Sequence, residues 1–427
     1  MLSLLLGSFA VLLLLGIPIS FSMAIASALF FVVGDYSLVQ FAQRIVAGVD
    51  SFTILAIPFF MLSGEIMSKG GVSRRILNFV NILIGRIRGG LAVTGVVSCA
   101  LFGAICGSAP ATAVAVGGMI MPEMLEKGYK KSFTATVFGV SGGLGLLIPP
   151  SLVMVFIGST GNISVGDLFM AGIVPGVVMC LFLCIWCLWQ SRKYNYGTIK
   201  TSVVAEKPTP KAVFKAFLGA LLPLTTPLFI LGSIMTGIAT PTEAAVISVV
   251  WSLFLSMVIY REISFAEMRK IFLNAITTTA GVTGVMAAAA AFSWALAIER
   301  VPEAIANFFL QYVTNQWSFF LVVFIIVFLL GCVTEAVSII VICLPIFLPI
   351  ASSMGINDIH FGIFMTMALT LGTVTPPVGL SMIAAGKVIG VRIEETFPEI
   401  LHCILIEGIM CVLIALFPQM CTWVTLI

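Results

Sequence analysis

Charged side chains are scarce in this sequence. Asp, Glu, Lys and Arg make up 9% of the 427 residues, hydrophobic residues make up 60%, and the mean hydropathy is +1.19. Soluble domains carry about 25% charged residues. The scarcity therefore excludes a soluble globular protein. Apolar stretches recur from end to end, with charges in short gaps between them, which predicts an all-α polytopic membrane protein that contacts lipid over most of its length.

Residues that bind metals or perform catalysis are also few. The two histidines, His360 and His402, are far apart in sequence and neither lies in an HExxH spacing. The CxxC match at Cys184 and Cys187 lies in an apolar run without a second pair, so these cysteines are interpreted as small hydrophobic residues. No Ser-His-Asp or phosphate-loop pattern stands out, so we expect no enzyme.

The N-terminal segment lacks the basic region of a secretory signal peptide. Residues 1–15 run directly into further apolar sequence, which predicts an uncleaved first helix. The net charge is only +3, and its basic residues lie in loops. They therefore indicate orientation in the membrane and not a nucleic-acid partner.

A single offset of 227 positions relates the two halves of the chain. It places helix-breaking residues on one another: Pro122 on Pro349, Gly128 on Gly355, Gly145 on Gly372, and Pro149-Pro150 on Pro376-Pro377. It also places residues 37–40 on residues 264–267, and both segments read as capping boxes at the start of an amphipathic helix. Membrane proteins are rich in Gly and Pro, but one ungapped shift over more than a hundred residues favours two related halves.

Basic clusters predict which face each loop occupies, because cytoplasmic loops carry an excess of Lys and Arg. The predicted cytoplasmic segments are 69–88, 127–131, 192–215, 261–270 and 387–392. Segment 89–126 is apolar, is interrupted near residues 105–112 and has a basic cluster at each end, so it must enter and leave on one face. Its counterpart, 318–350, is interrupted at 331–336 and has no such cluster. We therefore predict two re-entrant hairpins that enter from opposite faces, an inverted repeat.

The predicted layout divides the chain into a first repeat (1–190), a cytoplasmic linker (191–212) and a second repeat (213–427). The first repeat is expected to contain helices 2–15 and 18–34, a surface helix from Ser37, a helix near 52–68, an amphipathic arm 72–88, hairpin 89–126, broken helix 132–160 and helix 168–190. The second is expected to repeat this order, with an arm 301–316, hairpin 318–350 and broken helix 361–390.

The Pro-Pro breaks of the two broken helices predict cation sites. Proline offers no N–H to the carbonyl four residues earlier, which frees the oxygens of Gly145, Leu146, Gly372 and Thr373. Such oxygens, with the hydroxyls of the hairpin tips, suit a hard cation such as sodium. The predicted ligands of two pseudo-equivalent sodium sites are Ser108, Gly145, Ile148, Pro149, Gly331, Thr334, Gly372, Thr375 and Pro376.

The same interruptions expose helix N-termini, where unpaired N–H groups favour an anion such as a substrate carboxylate. The predicted substrate contacts are Ala109, Pro110, Thr112, Glu335, Thr373 and Val378. The alternative is that Gly and Pro only kink these helices for packing; finding a polar tip and a Pro-Pro break in each half favours function.

The acidic residues near apolar segments leave the coupling ion open. Glu335 and Glu243 are candidate ion or proton ligands, or caps of helix N-termini, and capping is favoured for Glu243. Glu65 and Glu299 lie where a helix meets an arm and are expected at the interface. Proton coupling through Glu335 or Glu243 is the alternative to sodium. A channel is not favoured, because no ring of pore charges or repeated filter loops is visible.

Four stretches carry a resemblance to a known family. They are FGAICGSAPATA at 102–113, GLGLLIPPS at 143–151, TPTEAA at 240–245 and LGTVTPPVG at 371–379. With them, essentially the whole chain resembles the large membrane (M) subunit of the tripartite ATP-independent periplasmic (TRAP) transporters, most like the sialic acid type. Cys106 and residues 333–334 depart from the family's tips.

The resemblance implies a multi-pass protein of the bacterial inner membrane that imports sialic acid or another carboxylate. It implies two Na⁺ as coupling ions and no other cofactor. It also implies a small four-helix membrane subunit (Q) and a periplasmic substrate-binding protein (P) as partners, and an elevator in which a transport domain slides against a scaffold. The alternative is a proton-coupled or binding-protein-independent carrier of the same fold.

Overall fold

All regular secondary structure in the described part of the protein is helical. The computed structural model describes residues 1–197, 209–305, 313 and 315–423. Six of its helices are long and apolar enough to cross a membrane, or seven if the bent pair 131–147 and 152–161 is one span. The prediction of an all-α polytopic membrane protein is therefore confirmed.

The helices follow one another with short connections. The first half contains α1 (Leu2–Leu14), α2 (Ile19–Val33), α3 (Leu38–Ala47), α4 (Ala56–Lys69), α5 (Val72–Ile84), α6 (Gly90–Cys106), α7 (Ala109–Glu126), α8 (Lys131–Gly142), α9 (Leu144–Leu147), α10 (Leu152–Gly161) and α11 (Val165–Lys193). The second half contains α12 (Pro210–Met235), α13 (Pro241–Leu253), α14 (Phe265–Ile298), α15 (Gln316–Gly331), α16 (Ala336–Ser353), α17 (Asp358–Val374), α18 (Leu380–Ile389), α19 (Glu399–Leu416) and α20 (Gln419–Thr422).

Two helical hairpins and two breaks lie at equivalent places in the halves. Hairpin 1 is α6 and α7, joined by tip 1 (107–108), and hairpin 2 is α15 and α16, joined by tip 2 (332–335). Break 1 (148–151) separates α9 from α10, and break 2 (375–379) separates α17 from α18. The offset of 227 carries the bounds of α7 onto those of α16, and the start of α8 onto that of α17.

The second half departs from the first where α3 and α4 have a single counterpart. Helix α14 is continuous over 34 residues, although separate helices were predicted from the first half. The reason lies in the breakers: α3 ends at Gly48, which Asp50 and Ser51 follow, whereas the equivalent positions 275, 277 and 278 are Ala and Thr. Glycine and acidic residues disfavour a helix interior more than alanine does.

Other predicted boundaries shift by a few residues. The linker is shorter than 191–212, because α11 continues to Lys193 and α12 begins at Pro210; residues 198–208 lie outside the described part. Half of the second arm (301–316), residues 306–312 and 314, also lies outside it. Ser264 and Glu267 form the predicted capping box, while the Ser37 hydroxyl caps α3 by accepting the N–H of Val39.

The two halves are interlocked through their broken helices. Helix α18 packs against α7 and α8 of the first half, and α10 packs against α16 of the second. The Ser381 hydroxyl donates to the Gly139 carbonyl at 2.6 Å, and Gly161 lies against the side chain of Leu348. Hairpins and broken helices (α6–α10 and α15–α18) therefore form one unit, called here the central block.

The outer helices (α2–α5 and α12–α14) pair mainly with one another, α4 with α13, α2 with α14 and α5 with α12. A serine contact holds α4 to α13: the hydroxyls of Ser63 and Ser252 are 2.8 Å apart. At the start of α5, Arg74 and Arg75 both bind the Glu262 carboxylate at 2.7 Å. These contacts leave the outer helices as a second unit beside the central block.

Each hairpin touches the broken helix of its own half through glycine. A Cβ atom added to Gly103 would lie 2.6 Å from the Cα of Gly145, and one added to Gly372 would lie 2.6 Å from the Cα of Gly331. All four residues are helical, so the requirement is for space and not for an unusual backbone conformation. Only a residue without a side chain permits this approach.

We expect Gly372→Ala to destabilise the protein. Its methyl group would meet the backbone of Gly331, and separating α15 from α17 should cost about 1–3 kcal/mol. The measurement is the thermal unfolding of the purified protein in detergent. Gly284→Ala is the matched control, since Gly284 is also helical but has no atom within 4 Å of the added Cβ, and alanine there should stabilise by up to about 1 kcal/mol. Equal unfolding temperatures for the two variants would contradict the close-approach argument.

Candidate functional site

Tip 1 and the broken helix beside it bring three predicted residues together. Gly107 has a left-handed conformation (φ 65°) that ends α6, and Ser108 begins α7 with an extended backbone. The Thr112 hydroxyl lies 3.1 Å, and the Ser108 carbonyl oxygen 3.5 Å, from where a Cβ on Gly145 would stand. Thr112 is 0% exposed, and among the described residues its hydroxyl has no oxygen or nitrogen partner; the Cys106 thiol lies beside it. The Thr112 hydroxyl and the Ser108 carbonyl, which also accepts the Thr112 N–H at 3.0 Å, therefore line a candidate site beside Gly145.

Backbone hydrogen bonds tie each break to its tip. The Leu152 N–H, after break 1, points to the Gly107 carbonyl at 3.5 Å, and the Val378 N–H, in break 2, donates to the Cys332 carbonyl at 3.0 Å. Both Pro-Pro bonds, 149–150 and 376–377, are cis. Tip and break thus form one polar unit in each half.

The sequence predicts free carbonyl oxygens at the breaks, but some of these oxygens accept hydrogen bonds in the structure. The Ser151 hydroxyl donates to Leu146 at 2.5 Å, and the Thr375 N–H donates to Gly372 at 3.2 Å. Pro149 has no N–H to give to the Gly145 carbonyl. The Thr373 carbonyl likewise has a proline, Pro377, in place of its helical donor. A carbonyl oxygen has two lone pairs, so the Leu146 and Gly372 carbonyls can each accept a second partner.

The hydroxyls at break 2 are engaged within their own helix. Thr375 donates to the Leu371 carbonyl and Thr373 donates to the Thr370 carbonyl, each at 2.7 Å. Both residues are buried, and each hydroxyl keeps its lone pairs for a cation. Pro376 and Val378, predicted beside them, are half-buried.

Tip 2 is more open than tip 1. Gly331 is buried against Gly372, but Val333 is 63% exposed and Thr334 and Glu335 are half-buried. Glu335 begins α16 without a side-chain capping bond. Its carboxylate therefore remains available to a ligand or to water.

The remaining predicted residues lie around tip 1 and break 1. Ala109 and Pro149 are buried, whereas Pro110 and Ile148 are half-buried. The Ala109 carbonyl faces Gly142 of α8, so Ala109 packs inside the central block rather than facing a substrate. Pro110 lies in the first turn of α7, where its missing N–H costs no helical bond.

Two cavities lie between the central block and the outer helices. The first, of about 90 Å³, is lined at tip 1 by Cys106 and Ser108 and on the outer side by Glu65 and Thr278. The second, of about 240 Å³, is lined by residues of α10 and α16 and, on the outer side, of α3 and α14. Glu65 thus faces the first tip, whereas the sequence had placed it at the membrane interface.

Two other acids have structural roles. Glu243 forms the capping box of α13 with Thr240, as favoured from the sequence. Glu299 follows α14 and accepts the Leu2 N–H at 2.9 Å, beside the N-terminal ammonium at 3.7 Å. Neither is placed to serve the tips.

One buried acid was missed by the sequence reasoning. Glu407 is 0% exposed in the middle of α19, and neither of its carboxylate oxygens has a hydrogen-bond partner. An acidic residue in the centre of an apolar 18-residue run is a signal that could have found it. Its neighbours come from other helices and are not visible in the sequence.

Comparison with known proteins decides the family. Residues 6–420 match the family model for the DctM component of the tripartite ATP-independent periplasmic transporters. The chain belongs to this family. Its residence in the bacterial inner membrane as a multi-pass protein follows from the family and the spans, and its relatives are named as permeases and not as enzymes.

Three curated relatives illustrate the range. The C4-dicarboxylate TRAP transporter large permease protein DctM of Rhodobacter capsulatus is 35% identical over 91% of this chain and 90% of its own length. The sialic acid TRAP transporter large permease protein SiaM of Vibrio cholerae is 32% identical over 96% and 94%. The isethionate TRAP transporter permease protein DctMQ of Oleidesulfovibrio alaskensis is 36% identical over 93% of this chain and 62% of its own, longer sequence.

A solved structure shares the fold. The crystal structure of the Alcanivorax borkumensis YdaH transporter, described as having an unusual topology, superposes with a TM-score of 0.61 over 87% of each chain at 14% identity. At this identity the likeness concerns the fold alone.

We expect Thr112→Val to separate transport from stability. Valine keeps the shape of threonine, and the lost hydroxyl makes no oxygen or nitrogen hydrogen bond in the described residues. The free energy of unfolding should therefore stay the same or rise by up to about 1 kcal/mol. Uptake by reconstituted protein should fall on the order of ten-fold, the effect of about 1.4 kcal/mol at a ligand site. Thr366→Val is the matched control, because the Thr366 hydroxyl donates to the Gly362 carbonyl in the interior of α17. If both variants transport equally, the Thr112 hydroxyl does not serve the site.

Proposed function

We propose that this chain carries an organic acid across the bacterial inner membrane, driven by sodium ions that bind at the two tip-and-break units. The observation that carries the proposal is the buried Thr112 hydroxyl, which has no oxygen or nitrogen partner among the described residues, beside the Ser108 carbonyl and Gly145. Irregular backbone at membrane depth is tolerated only inside protein or beside a water-filled cavity. Here it presents oxygen atoms, which is the chemistry of a cation site.

Sodium is favoured over the proton at these units because their oxygens are neutral. Carbonyl and hydroxyl oxygens coordinate a hard cation, whereas a proton carrier needs a group that titrates. At break 2, Thr373 and Thr375 supply the same oxygen types as Ser108 and Thr112 at tip 1. Proton coupling through Glu335 remains the second candidate, supported by its uncapped position at tip 2.

The substrate is proposed to be an organic anion, with sialic acid first among the carboxylates to be tested. The relatives are named for C4-dicarboxylates, sialic acid and isethionate, all of which are anions. Helices α7 and α16 begin at the two tips, and helix N-termini attract negative charge. A sodium ion beside each tip would add to this attraction.

The division into a central block and outer helices supports an elevator mechanism. Both proposed cation sites lie within the interlocked central block, so they would move together. The two cavities lie along its boundary with the outer helices, where a sliding surface would be. The Glu262 carboxylate, just before α14, binds Arg74 and Arg75 and so holds the start of α5. Helix α5 then leads into hairpin 1. Helix α5 is therefore suited to connect the two units.

Two partners are proposed, a periplasmic substrate-binding protein and a small membrane subunit of the Q type. The family is tripartite by description. The isethionate relative carries the name DctMQ and is longer than this chain. We propose that a subunit of the Q type works together with this chain.

Reconstituted transport tests the proposed function directly. Labelled organic acids, sialic acid first, are offered to proteoliposomes that hold this chain with its small membrane partner. We expect uptake only with both the binding protein and an inward sodium gradient. Uptake driven by a pH gradient without sodium would favour the proton-coupled carrier, and uptake without the binding protein would favour a self-sufficient one.

Sodium dependence should be sigmoidal, because two sites predict at least two ions per cycle. We expect Thr375→Ala to raise the half-saturating sodium concentration on the order of ten-fold, since one oxygen of the second site is lost. Thr366→Ala is matched to it: the hydroxyls of both residues donate to the carbonyl four residues earlier in α17, so both lose the same structural bond. A sodium dependence unchanged in Thr375→Ala would count against a cation site at break 2.

A further inference from the structure

Glu407 lies at a junction that the proposed sodium sites do not use. One carboxylate oxygen of Glu407 is 3.9 Å from where a Cβ on Gly143 would stand. The methyl group of Thr370 also packs against Gly143. Gly143 immediately precedes α9, which leads into break 1, and Thr370 lies in α17, which leads into break 2. Glu407 therefore stands where the two broken helices meet.

Within the described part of the chain, no charged or polar partner stabilises this carboxyl group. Both oxygens lack a hydrogen bond, and the Thr370 hydroxyl donates along its own helix to the Thr366 carbonyl at 2.9 Å. On α19 itself the nearest titratable side chains are Cys403, one turn before Glu407, and Cys411, one turn after it. His402 lies next to Cys403, and Glu399 lies two turns before Glu407. The surroundings are thus nearly apolar.

The helices packed against α19 add no cation at this depth. Helix α17 contributes His360, whose Nε2 lies 2.7 Å from the Ile414 carbonyl, and Asp358 at its exposed start. Helix α11 contributes the titratable residues Asp167, Cys180, Cys184 and Cys187, with Arg192 and Lys193 in its last turn. Helix α8 contributes Lys131 at its first position, and α15 contributes no titratable residue. An ionised carboxylate without a partner is very costly in such a place.

We propose that Glu407 is a proton-binding site of the carrier, neutral in the conformation described here and ionised at another stage of the transport cycle. Gly143, which lies beside the carboxyl group, and Thr370, which packs against Gly143, are not proposed sodium ligands. Gly143 immediately precedes α9, which leads to break 1, and Thr370 lies in α17, which leads to break 2. Rearrangement of a break would change the surroundings of the carboxyl group, which then gives one proton to water and becomes a carboxylate. One proton returns when the conformation is restored. The proposal rests on the proposed carrier function.

The pH profile of uptake tests the transport role. The complete complex in proteoliposomes is measured under an inward sodium gradient, at equal internal and external pH from about 5.5 to about 8.5. Glutamine mimics the neutral acid and cannot ionise. Wild-type uptake should therefore rise on the order of ten-fold with pH, whereas Glu407→Gln should show the low-pH rate of the wild type throughout. Glu407→Asp should restore the pH dependence.

Glu399→Gln is the matched control on the same helix. Glu399 is the first residue of α19 and accepts the Ser132 hydroxyl at 3.1 Å, and its variant should keep the wild-type profile. Sodium-dependent uptake with parallel pH profiles for the wild type and Glu407→Gln overturns the proposal. Wild-type uptake that ignores sodium refutes sodium coupling instead, and leaves the pH comparison and the next measurement to decide on Glu407.

Infrared spectroscopy tests the protonation state without transport. The purified complex should show the C=O stretching band of a buried carboxylic acid at neutral pH, and the band should be absent in Glu407→Gln. If that variant does not assemble, Glu407→Asp should shift the band. Spectra in which the carboxylic acid region is the same in wild type and variant show that Glu407 is ionised, and the proposal is then wrong.

Discussion

Each hairpin packs against its broken helix through direct contact between the two backbones. The rest of the arrangement depends on this contact. Lipid offers no hydrogen bonds, so an interrupted helix must find partners inside the protein, and each unsatisfied group costs several kcal/mol. The glycine pairs Gly103 with Gly145 and Gly331 with Gly372 bring the helices close enough for this. The backbone hydrogen bonds from Leu152 to Gly107 and from Val378 to Cys332 then pair groups that have no helical partner at the breaks.

This contact also explains why the halves are interlocked. A hairpin packed on its own broken helix still exposes the second arm of that helix, α10 or α18. Each arm is covered by the hairpin of the other half, so neither half buries its polar interruptions alone. The central block therefore holds both breaks together, so the two proposed sodium sites would move as one body.

The sequence predicted features that are local and failed on features that depend on distant helices. Pro149 and Pro376 mark breaks because proline removes a helical bond wherever it stands, and Thr240 with Glu243 marks a cap for an equally local reason. Glu65 facing tip 1, the Leu146 carbonyl taken up by Ser151, and the buried position of Glu407 depend on which helices meet. The continuity of α14 could have been predicted from the loss of Gly48 and Asp50 at its equivalent positions.

The proposed division between neutral sodium ligands in the central block and an acid on the neighbouring helix α19 has a physical reason. A carboxylate beside a bound sodium ion would hold it tightly, but it would be a costly unpaired charge in lipid whenever the ion left. Neutral oxygens at Ser108, Thr112 and Gly145 avoid that cost and permit release, which a carrier needs as much as binding. Glu407 lies on α19, beside the residue that precedes α9 and not at a break itself. An acid at this position can change its protonation when a break rearranges, and it stays neutral when no positive charge is near. In the proposed carrier, separating the sodium ligands from the titratable group would let the central block bind, move and release its ions while α19 holds the acid.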